Sequence, residues 1–544
     1  MTKQTPLSPL AAIIAKRQVS LVFALSLLFL LPSCRQGASP SSFTAVNPLT
    51  YTDIPDSDII RVGEDYYMVS TTMYYCPGAP IMHSRDLVHW RIVNYVYDLL
   101  EDDDIYNMKD GRNAYGKGQW ATSLRYHDGL YYALFIANDQ QKTYIYTTPD
   151  IQKGPWKRTV LDRPMHDASM LFDNGHLYVI YGNGELRLAE LEPDGSAFKA
   201  GVEDKVIIDS PKEGWMLRAE GAHMYHIGDW YYVIEIDWPR GGVRTATAWR
   251  SHDIMGPYES KVVLQGAFDS RGDGVAQGPI IDTRYGDWYA IQFQDHGAVG
   301  RIPTIQPVTW VDGWPIMGDD TVPMKEVTVN LPESGEDYVW DNDEFDSTSL
   351  ALVWQWNHKA PQRWSLSSER PGFLRLYSQG TAPSIDKALG TLTQRTVGPR
   401  SIAETALDPS GLAPGGEAGL CAFQSIEGRI GVVRKDDAKL YLTLHGKGFR
   451  EEEKVIWEKP LESEGTVYLR IRYVFTPVEE SDGPADRAYF SYSLDGENFE
   501  EVDYSLQMRF TLDYFTGYRS ALYCFSTSDR GSHADFDFFH QKTY

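Results

Sequence analysis

One short pattern recurs five times between residues 63 and 289 of this 544-residue chain. Each copy is a turn containing Gly or Asp, followed by one or two aromatic residues in an alternating apolar run. The copies are Gly63-Glu64-Asp65-Tyr66-Tyr67, Asp128-Gly129-Leu130-Tyr131-Tyr132, Asn174-Gly175-His176-Leu177-Tyr178, Gly228-Asp229-Trp230-Tyr231-Tyr232 and Gly286-Asp287-Trp288-Tyr289. They are spaced by roughly 45 to 65 residues, the range expected of four-stranded propeller blades. Such repeats predict antiparallel hairpins closed radially, because closure leaves no long sheet edge exposed. Five copies favour five blades, and the drifting spacing leaves six open.

The composition agrees with an all-β chain. Tyr (34), Trp (15), Gly (46) and Pro (30) are abundant, and these residues favour strands and turns over helices. The length predicts two to four domains. A formal net charge of −24 and the lack of a basic, aromatic stripe exclude a nucleic-acid-binding protein.

The repeats end near Pro315, and a different β pattern begins at Trp340. Short alternating strands such as Ala438–Leu444 and Val467–Tyr473 follow one another with regular turns and no helical period, which predicts a β-sandwich. We therefore predict a five-bladed β-propeller over residues 47–325, a linker over 326–339 and a β-sandwich over 340–544.

The first 34 residues have the features of a bacterial export signal. A long positive segment precedes the apolar run Leu21–Leu31, which is too short for a convincing membrane span. The run ends in Leu31-Pro32-Ser33-Cys34, which is similar to a lipobox, with Pro32 as a departure. We expect lipidation at Cys34, a flexible tether over residues 35–46, and a protein exported and anchored to a bacterial membrane, on its periplasmic or cell-surface face. An ordinary cleaved signal or an anchor segment is the alternative.

The other three cysteines are scattered and have no CxxC spacing, so they predict neither a zinc site nor a disulfide framework. A Cys421–Cys524 bridge is conceivable in an exported protein. Burial in the core is the favoured interpretation for Cys76, Cys421 and Cys524.

Three acids stand at a common offset in three of the repeats. Asp56, Asp167 and Glu220 each precede the tyrosines of their repeat by roughly ten residues. Because a propeller brings the first strand of every blade to one axis, equivalent positions face a shared central cavity. The alternative is that each acid merely caps a hairpin, as turn acids commonly do.

The motifs around these acids resemble those of glycoside hydrolase family 43, over the region from about Asn47 to Gly318. The matching segments are Pro55-Asp56-Ser57-Asp58-Ile59-Ile60-Arg61-Val62-Gly63, Trp120-Ala121-Thr122-Ser123, Asp167-Ala168-Ser169 and Glu220-Gly221-Ala222-His223. The first two lack a Pro that the family carries. The resemblance implies a five-bladed propeller and an inverting enzyme, with Asp56 as general base, Glu220 as general acid, and Asp167 setting the orientation and pKa of that acid.

Those roles are chemically consistent. Glycoside hydrolysis needs one carboxylic acid to protonate the leaving oxygen and one carboxylate to activate water or attack carbon. A third acid beside the proton donor raises the pKa of that donor through like charge. Acids on opposite walls of a cavity leave room for a water molecule, which predicts inversion.

Sugar binding needs aromatic faces and planar polar groups. Trp120 is the candidate platform, and Arg301 resembles the arginine at the floor of the family's site. The loop that starts at Met73 is positioned to shape the sugar pocket. From residue 340 the chain resembles the concanavalin-like domain of family 43 β-xylosidases, in which a loop aromatic completes the pocket, and Phe515 is the equivalent. Core packing is the alternative for Trp120 and Phe515.

No cofactor is expected for catalysis. Many family members hold a calcium ion or water at the axis through a His, and Gln277 occupies that position here, with His296 as a weaker candidate. Asp343 and Asp537 are candidate ligands of a structural calcium ion in the C-terminal domain.

Together these features predict an exo-acting, inverting glycosidase. It would release terminal β-D-xylosyl or α-L-arabinofuranosyl units from plant cell-wall xylan, arabinoxylan or arabinan oligosaccharides. The alternatives are a glycan-binding lipoprotein without activity, an endo-acting arabinanase of the same fold, and a retaining five-bladed enzyme with a Tyr or Asp nucleophile.

Overall fold

The computed structural model describes residues 41–335 and 339–544, which contain 38 β-strands and four short 3₁₀ helices. The predicted export signal, Cys34 and residues 35–40 of the tether lie outside the described residues. In the first domain the strands are β1 (Phe43–Val46), β2 (Asp58–Val62), β3 (Asp65–Val69), β4 (Tyr75–Cys76), β5 (Gly78–Ser84), β6 (Arg91–Tyr97), β7 (Gln119–His127), β8 (Leu130–Ala137), β9 (Lys142–Thr148), β10 (Lys157–Leu161), β11 (Ser169–Asp173), β12 (His176–Asn183), β13 (Glu185–Leu191), β14 (Lys205–Asp209), β15 (Trp215–Ile227), β16 (Trp230–Pro239), β17 (Thr245–Ser251), β18 (Glu259–Gln265), β19 (Val275–Ala276), β20 (Ile280–Asp282), β21 (Trp288–Asp295), β22 (Arg301–Val311), β23 (Trp314–Met317) and β24 (Glu326–Val329).

These strands form five antiparallel sheets that are the blades of a propeller. In chain order the blades are β2-β3-β5-β6, β7-β8-β9-β10, β11-β12-β13-β14, β15-β16-β17-β18, and β19-β21-β22-β23 with β20 also paired to β21. In every repeat the turn connects two neighbouring antiparallel strands of the blade, for example β2 and β3. The five-bladed prediction is confirmed.

The structure corrects both ends of the predicted propeller. Residues 43–46, predicted as tether, and residues 326–329, predicted as linker, form β1 and β24, which pair antiparallel with Phe43 opposite Val329. Val327 and Val329 alternate with exposed neighbours and are buried. That alternation is a strand signal, and it joins the two ends of the domain.

The second domain is a sandwich of two antiparallel sheets, as predicted. Its strands are β25 (Gln355–Asn357), β26 (Trp364–Leu366), β27 (Leu374–Tyr377), β28 (Thr391–Arg395), β29 (Arg400–Asp408), β30 (Gly416–Phe423), β31 (Glu427–Arg434), β32 (Leu440–Lys447), β33 (Lys454–Pro460), β34 (Val467–Val474), β35 (Arg487–Ser493), β36 (Glu500–Gln507), β37 (Arg519–Ser526) and β38 (His533–Thr543). The sheet orders are β33-β32-β31-β30-β37-β28-β25-β4 and β26-β27-β38-β29-β34-β35-β36. The strand β4 comes from the propeller and pairs with β25, so the two domains share one sheet.

The 3₁₀ helices are Lys109–Gly111, Gly297–Val299, Ile385–Lys387 and Glu480–Asp482. None of the helices in the described ranges is long and apolar enough to cross a membrane. Cys76, Cys421 and Cys524 are buried and free, so the conceivable Cys421–Cys524 bridge is not formed.

Candidate active site

All five blades contribute a residue to one cavity of about 340 Å³. The contributions come from the first strand of each blade or the turn beside it. They are Asp56 before β2, Trp120 in β7, Asp167 before β11, Glu220 in β15 and Gln277 after β19. The predicted convergence of the three acids is therefore what the structure shows.

Strained backbone directs several of these side chains inward. Asp56, Asp167 and Gln277 have φ values of 52°, 46° and 62°, and Met73 and Phe515 have 55° and 58°. Residues with a Cβ seldom occupy this left-handed region, and they cluster at functional sites where the surrounding fold enforces it. The shared conformation at equivalent ends of three blades explains why these side chains meet at the axis.

Within the cavity, Asp56 is fixed by an arginine. Nη1 of Arg301 lies 2.9 Å from Oδ1 and 3.1 Å from Oδ2 of Asp56. Arg301 is only 5 % exposed, and its Nη2 donates to the carbonyl of Phe515 at 3.3 Å. The structure thus gives Arg301, predicted near the floor of the site, a charge-assisted contact that sets the orientation of the Asp56 carboxylate.

Glu220, in the same cavity, is held by two polar neighbours. Nε2 of His166 lies 3.3 Å from Oε2 of Glu220 and 3.7 Å from Oδ2 of Asp167. Nδ2 of Asn183 donates to the same Glu220 oxygen. Glu220, Asp167 and His166 therefore form one coupled group, and Asn183 restricts the rotation of the Glu220 carboxyl.

The electrostatics of this group favour bound protons. Burial raises the pKa of Asp167, and the nearby Glu220 and Asp56 carboxylates add to the effect, so that the pKa reaches about 7 although His166 opposes it. Burial alone would lower the pKa of His166, but the charges of Asp167, Glu220 and Asp56 raise it to about 9. At neutral pH the imidazole of His166 is therefore cationic, and the carboxyl of Asp167 titrates close to that pH.

His166 and Asn183 were missed by the sequence reasoning. His166 directly precedes Asp167, and a titratable side chain adjacent to a proposed catalytic acid was an available signal. Asn183 stands at the end of β12, and nothing in its local sequence distinguishes it from a turn residue.

The predicted sugar-binding residues also lie at the cavity. Trp120 is half-buried, with its ring 5.8 Å from that of His166 and 5.5 Å from that of Phe515. Met73 is buried beside β7, exchanging backbone hydrogen bonds of 3.1 and 3.0 Å with Gln119. Phe515 comes from the sandwich domain, so both domains build the wall.

The mouth of the cavity is apolar. Met216 of the propeller is 59 % exposed, and Leu512 of the sandwich is 74 % exposed. Both line the opening together with Trp238 and Phe510. Exposed apolar side chains beside the three acids suit the less polar face of an incoming sugar chain.

The candidate metal ligands are placed differently. His296 lies away from the cavity lining, with Nε2 2.7 Å from Asp269 Oδ2 and Nδ1 3.0 Å from the Tyr51 hydroxyl. In the described part of the chain, the grouping of three possible metal ligands within 4.8 Å of one another is His166, Asp167 and Glu220.

Asp343 and Asp537 are not part of that grouping. The Asp343 carboxylate accepts hydrogen bonds from the Phe345 backbone N–H at 2.9 Å and the Trp354 indole at 2.8 Å, and Asp537 is exposed. Calcium binding between Asp343 and Asp537 stays a prediction.

The propeller cavity contains three carboxyl groups beside aromatic rings. One carboxyl is held by an arginine, and the other two both contact a histidine. This arrangement is typical of a glycoside hydrolase site. Comparison with known proteins agrees. Residues 45–315 match the model of the glycosyl hydrolases family 43, and residues 342–542 match the model of the β-xylosidase C-terminal concanavalin A-like domain.

Individual relatives extend over most of the chain. A β-xylosidase of Formosa agariphila is 29 % identical over 91 % of this chain and 90 % of its own length. A non-reducing end α-L-arabinofuranosidase of Bacteroides ovatus is 32 % identical over 65 % of this chain and 69 % of its own length. The structure of a bifunctional GH43-CE protein of Bacteroides eggerthii has a TM-score of 0.85 and 42 % identity, covering 93 % of this chain and 64 % of that longer chain. This chain belongs to glycoside hydrolase family 43.

Proposed function

We propose that this protein is an exo-acting, inverting glycosidase that releases terminal β-D-xylosyl or α-L-arabinofuranosyl units from plant cell-wall xylan, arabinoxylan or arabinan oligosaccharides. The observation that carries the proposal is the meeting of Asp56, Asp167 and Glu220 in one cavity that a loop of the sandwich domain helps to close. The names of the Formosa and Bacteroides ovatus relatives support the two pentoses.

In the proposed mechanism, Asp56 accepts a proton from a water molecule as that water attacks the anomeric carbon. Glu220 donates a proton to the glycosidic oxygen as the bond to carbon breaks. Arg301 keeps the Asp56 carboxylate oriented. His166 and Asn183 contact the Glu220 carboxyl and orient it, and Asp167 lies beside His166. Only carboxyl groups and water take part, so we propose no cofactor for catalysis.

The preference for chain ends is supported by the sandwich domain. Phe510, Leu512 and Phe515 lie on one loop and line one side of the cavity. A cavity bounded by this loop admits the end of a glycan more easily than its middle. A pocket fitted to a pentose also excludes hexoses sterically, because hexopyranoses carry an additional hydroxymethyl group.

We also propose that the protein is exported and held at a bacterial membrane by a lipid on Cys34. The support is the apolar run followed by Leu31-Pro32-Ser33-Cys34 in the sequence. An anchored glycosidase would act on oligosaccharides that reach the membrane it is attached to.

Hydrolysis of 4-nitrophenyl β-D-xyloside and α-L-arabinofuranoside tests the proposal. We expect turnover of at least one substrate, and a loss of about 10²–10⁴-fold in kcat for Glu220→Gln, the range for removing a general acid. Glu213→Gln, on the exposed segment that leads into the same blade, is the matched control and should retain full activity.

The product anomer completes the test. NMR of the first-formed sugar should show the configuration opposite to that of the substrate. A retained configuration would favour the enzyme with a covalent nucleophile. Binding of pentosides without turnover in either protein would favour the glycan-binding lipoprotein.

A further inference from the structure

Gln277 presents an unpaired amide group to the active-site cavity. The residue is 8 % exposed and lines the cavity with the three acids. Within the described part of the chain, its side-chain amide makes no hydrogen bond. The amide atoms of Gln277 are not among the buried, unpartnered side-chain atoms of the described residues, so the amide is open to the cavity, where a ligand can replace water as its hydrogen-bond partner.

The side chain is held in place from two directions. Its own backbone is left-handed, with φ of 62°, and follows directly on β19. Across the cavity wall the chain at Gly221 approaches so closely that a Cβ there would lie 2.7 Å from Cγ, Cδ and Nε2 of Gln277. Gln277 therefore packs on the peptide beside Glu220, and its amide has little freedom to turn away.

We propose that Gln277 is a specificity-determining residue that hydrogen-bonds a ring hydroxyl of the bound pentosyl unit beside Glu220. This inference rests on the proposed glycosidase function. The amide offers two N–H donors and a carbonyl acceptor, and a sugar hydroxyl can both donate and accept, so the two groups are complementary. Contact at this position would also hold the sugar against the catalytic acid.

The test compares the parent 4-nitrophenyl pentoside with analogues that each lack one ring hydroxyl. Gln277→Met keeps the approximate length of the side chain and removes its amide. We expect this variant to lose about 10- to 100-fold in kcat/KM on the parent substrate. On the one analogue that lacks the contacted hydroxyl, the variant and the wild type should differ by less than about threefold.

Two controls separate this contact from a loss of folding. Gln141→Met removes an amide from an exposed hairpin turn and should change neither kcat/KM nor the melting temperature. If Gln277→Met is unstable, Gln277→Leu gives the same comparison.

The possible results lead to different conclusions. Equal losses on the parent and on every analogue, or no loss at all, would overturn the inference while leaving the glycosidase proposal intact. Absence of turnover by the wild type on every pentoside would overturn both.

Discussion

Asp53, Asp56 and Asp58 stand within six residues of one another and do three different things. Asp56 faces the cavity and is held by Arg301. Asp58 is fully buried. Burial alone would raise the pKa of its carboxyl, but Arg125, at 2.6 Å, and His223 lower that pKa to about 2. Identical side chains thus differ in role because their neighbours differ, which the sequence alone does not reveal.

The pKa of Asp167 is raised, whereas that of Asp58 is lowered, and the raised pKa predicts that the stability of the protein depends on pH. Its pKa in the folded protein is about 7, above the ordinary value of 3.8. Between about pH 4 and 7 the folded state therefore binds more protons than the unfolded state, and the free energy of unfolding falls as the pH rises.

Replacing Asp167 with Asn should remove this contribution. Urea denaturation at pH 4.5 and pH 7 should show a smaller loss of stability for Asp167→Asn than for the wild type. The control is Asp162→Asn, which removes the same charge from an exposed site. Equal pH dependence of Asp167→Asn and the wild type would contradict the raised pKa.

At the level of strands and loops, the first strand of each blade was the most predictable element. The aromatic repeats gave the hairpins, and a constant offset before them gave Asp56, Asp167 and Glu220. Motif resemblance added Trp120 and Arg301. These features are local in sequence, and for that reason they could be found there.

The loop contacts that complete the site could not be found in the same way. Asn183 meets Glu220, and Asp53 meets the sandwich domain, only because the chain returns from distant segments. The two-residue strand β4 has no periodicity of its own, and its pairing with β25 depends on how the two domains meet. Sequence periodicity contains no information about contacts of this kind.

Asp53 links the loop that carries Phe515 to the arginine that holds Asp56. Its Oδ1 accepts the backbone N–H of Arg301 and its Oδ2 accepts that of Gly517, both at 2.8 Å. The approach is tight, since a Cβ on Gly517 would lie 2.1 Å from the carbonyl oxygen of Val299. Asp53 is therefore a positioning residue between the domains.

Asp53→Asn should loosen this loop, because an amide N–H₂ would face one of the two backbone donors. Losing one charge-assisted hydrogen bond of about 1.5–3 kcal/mol predicts a fall in kcat/KM of roughly 10- to 100-fold. Phe515→Ala should cause a comparable loss, and the double variant should lose little more than either single variant. Strictly multiplicative losses would show that Asp53 does not act through the Phe515 loop.

Across the whole molecule, the propeller and the sandwich form one structural unit. Tyr74 and Tyr115 of the propeller pack with Tyr514 of the sandwich, and the rings of Tyr115 and Tyr514 stack at 4.0 Å. Tyr514 immediately precedes Phe515, so this aromatic contact and the shared sheet place the sandwich loop at the cavity. The second domain therefore supplies part of the cavity lining.

In the proposed mechanism, Glu220 donates the proton to the leaving oxygen while Asp56 activates water. The dependence of kcat/KM on the leaving group tests it most directly, using methyl, 4-nitrophenyl and 2,4-dinitrophenyl glycosides of the preferred pentose. Glu220→Gln should lose at least about 10³-fold on the methyl glycoside and less than about tenfold on the dinitrophenyl glycoside, which leaves without a proton. Asp56→Asn should lose a similar, large factor on all three. Equal losses of Glu220→Gln on every leaving group would contradict the assignment.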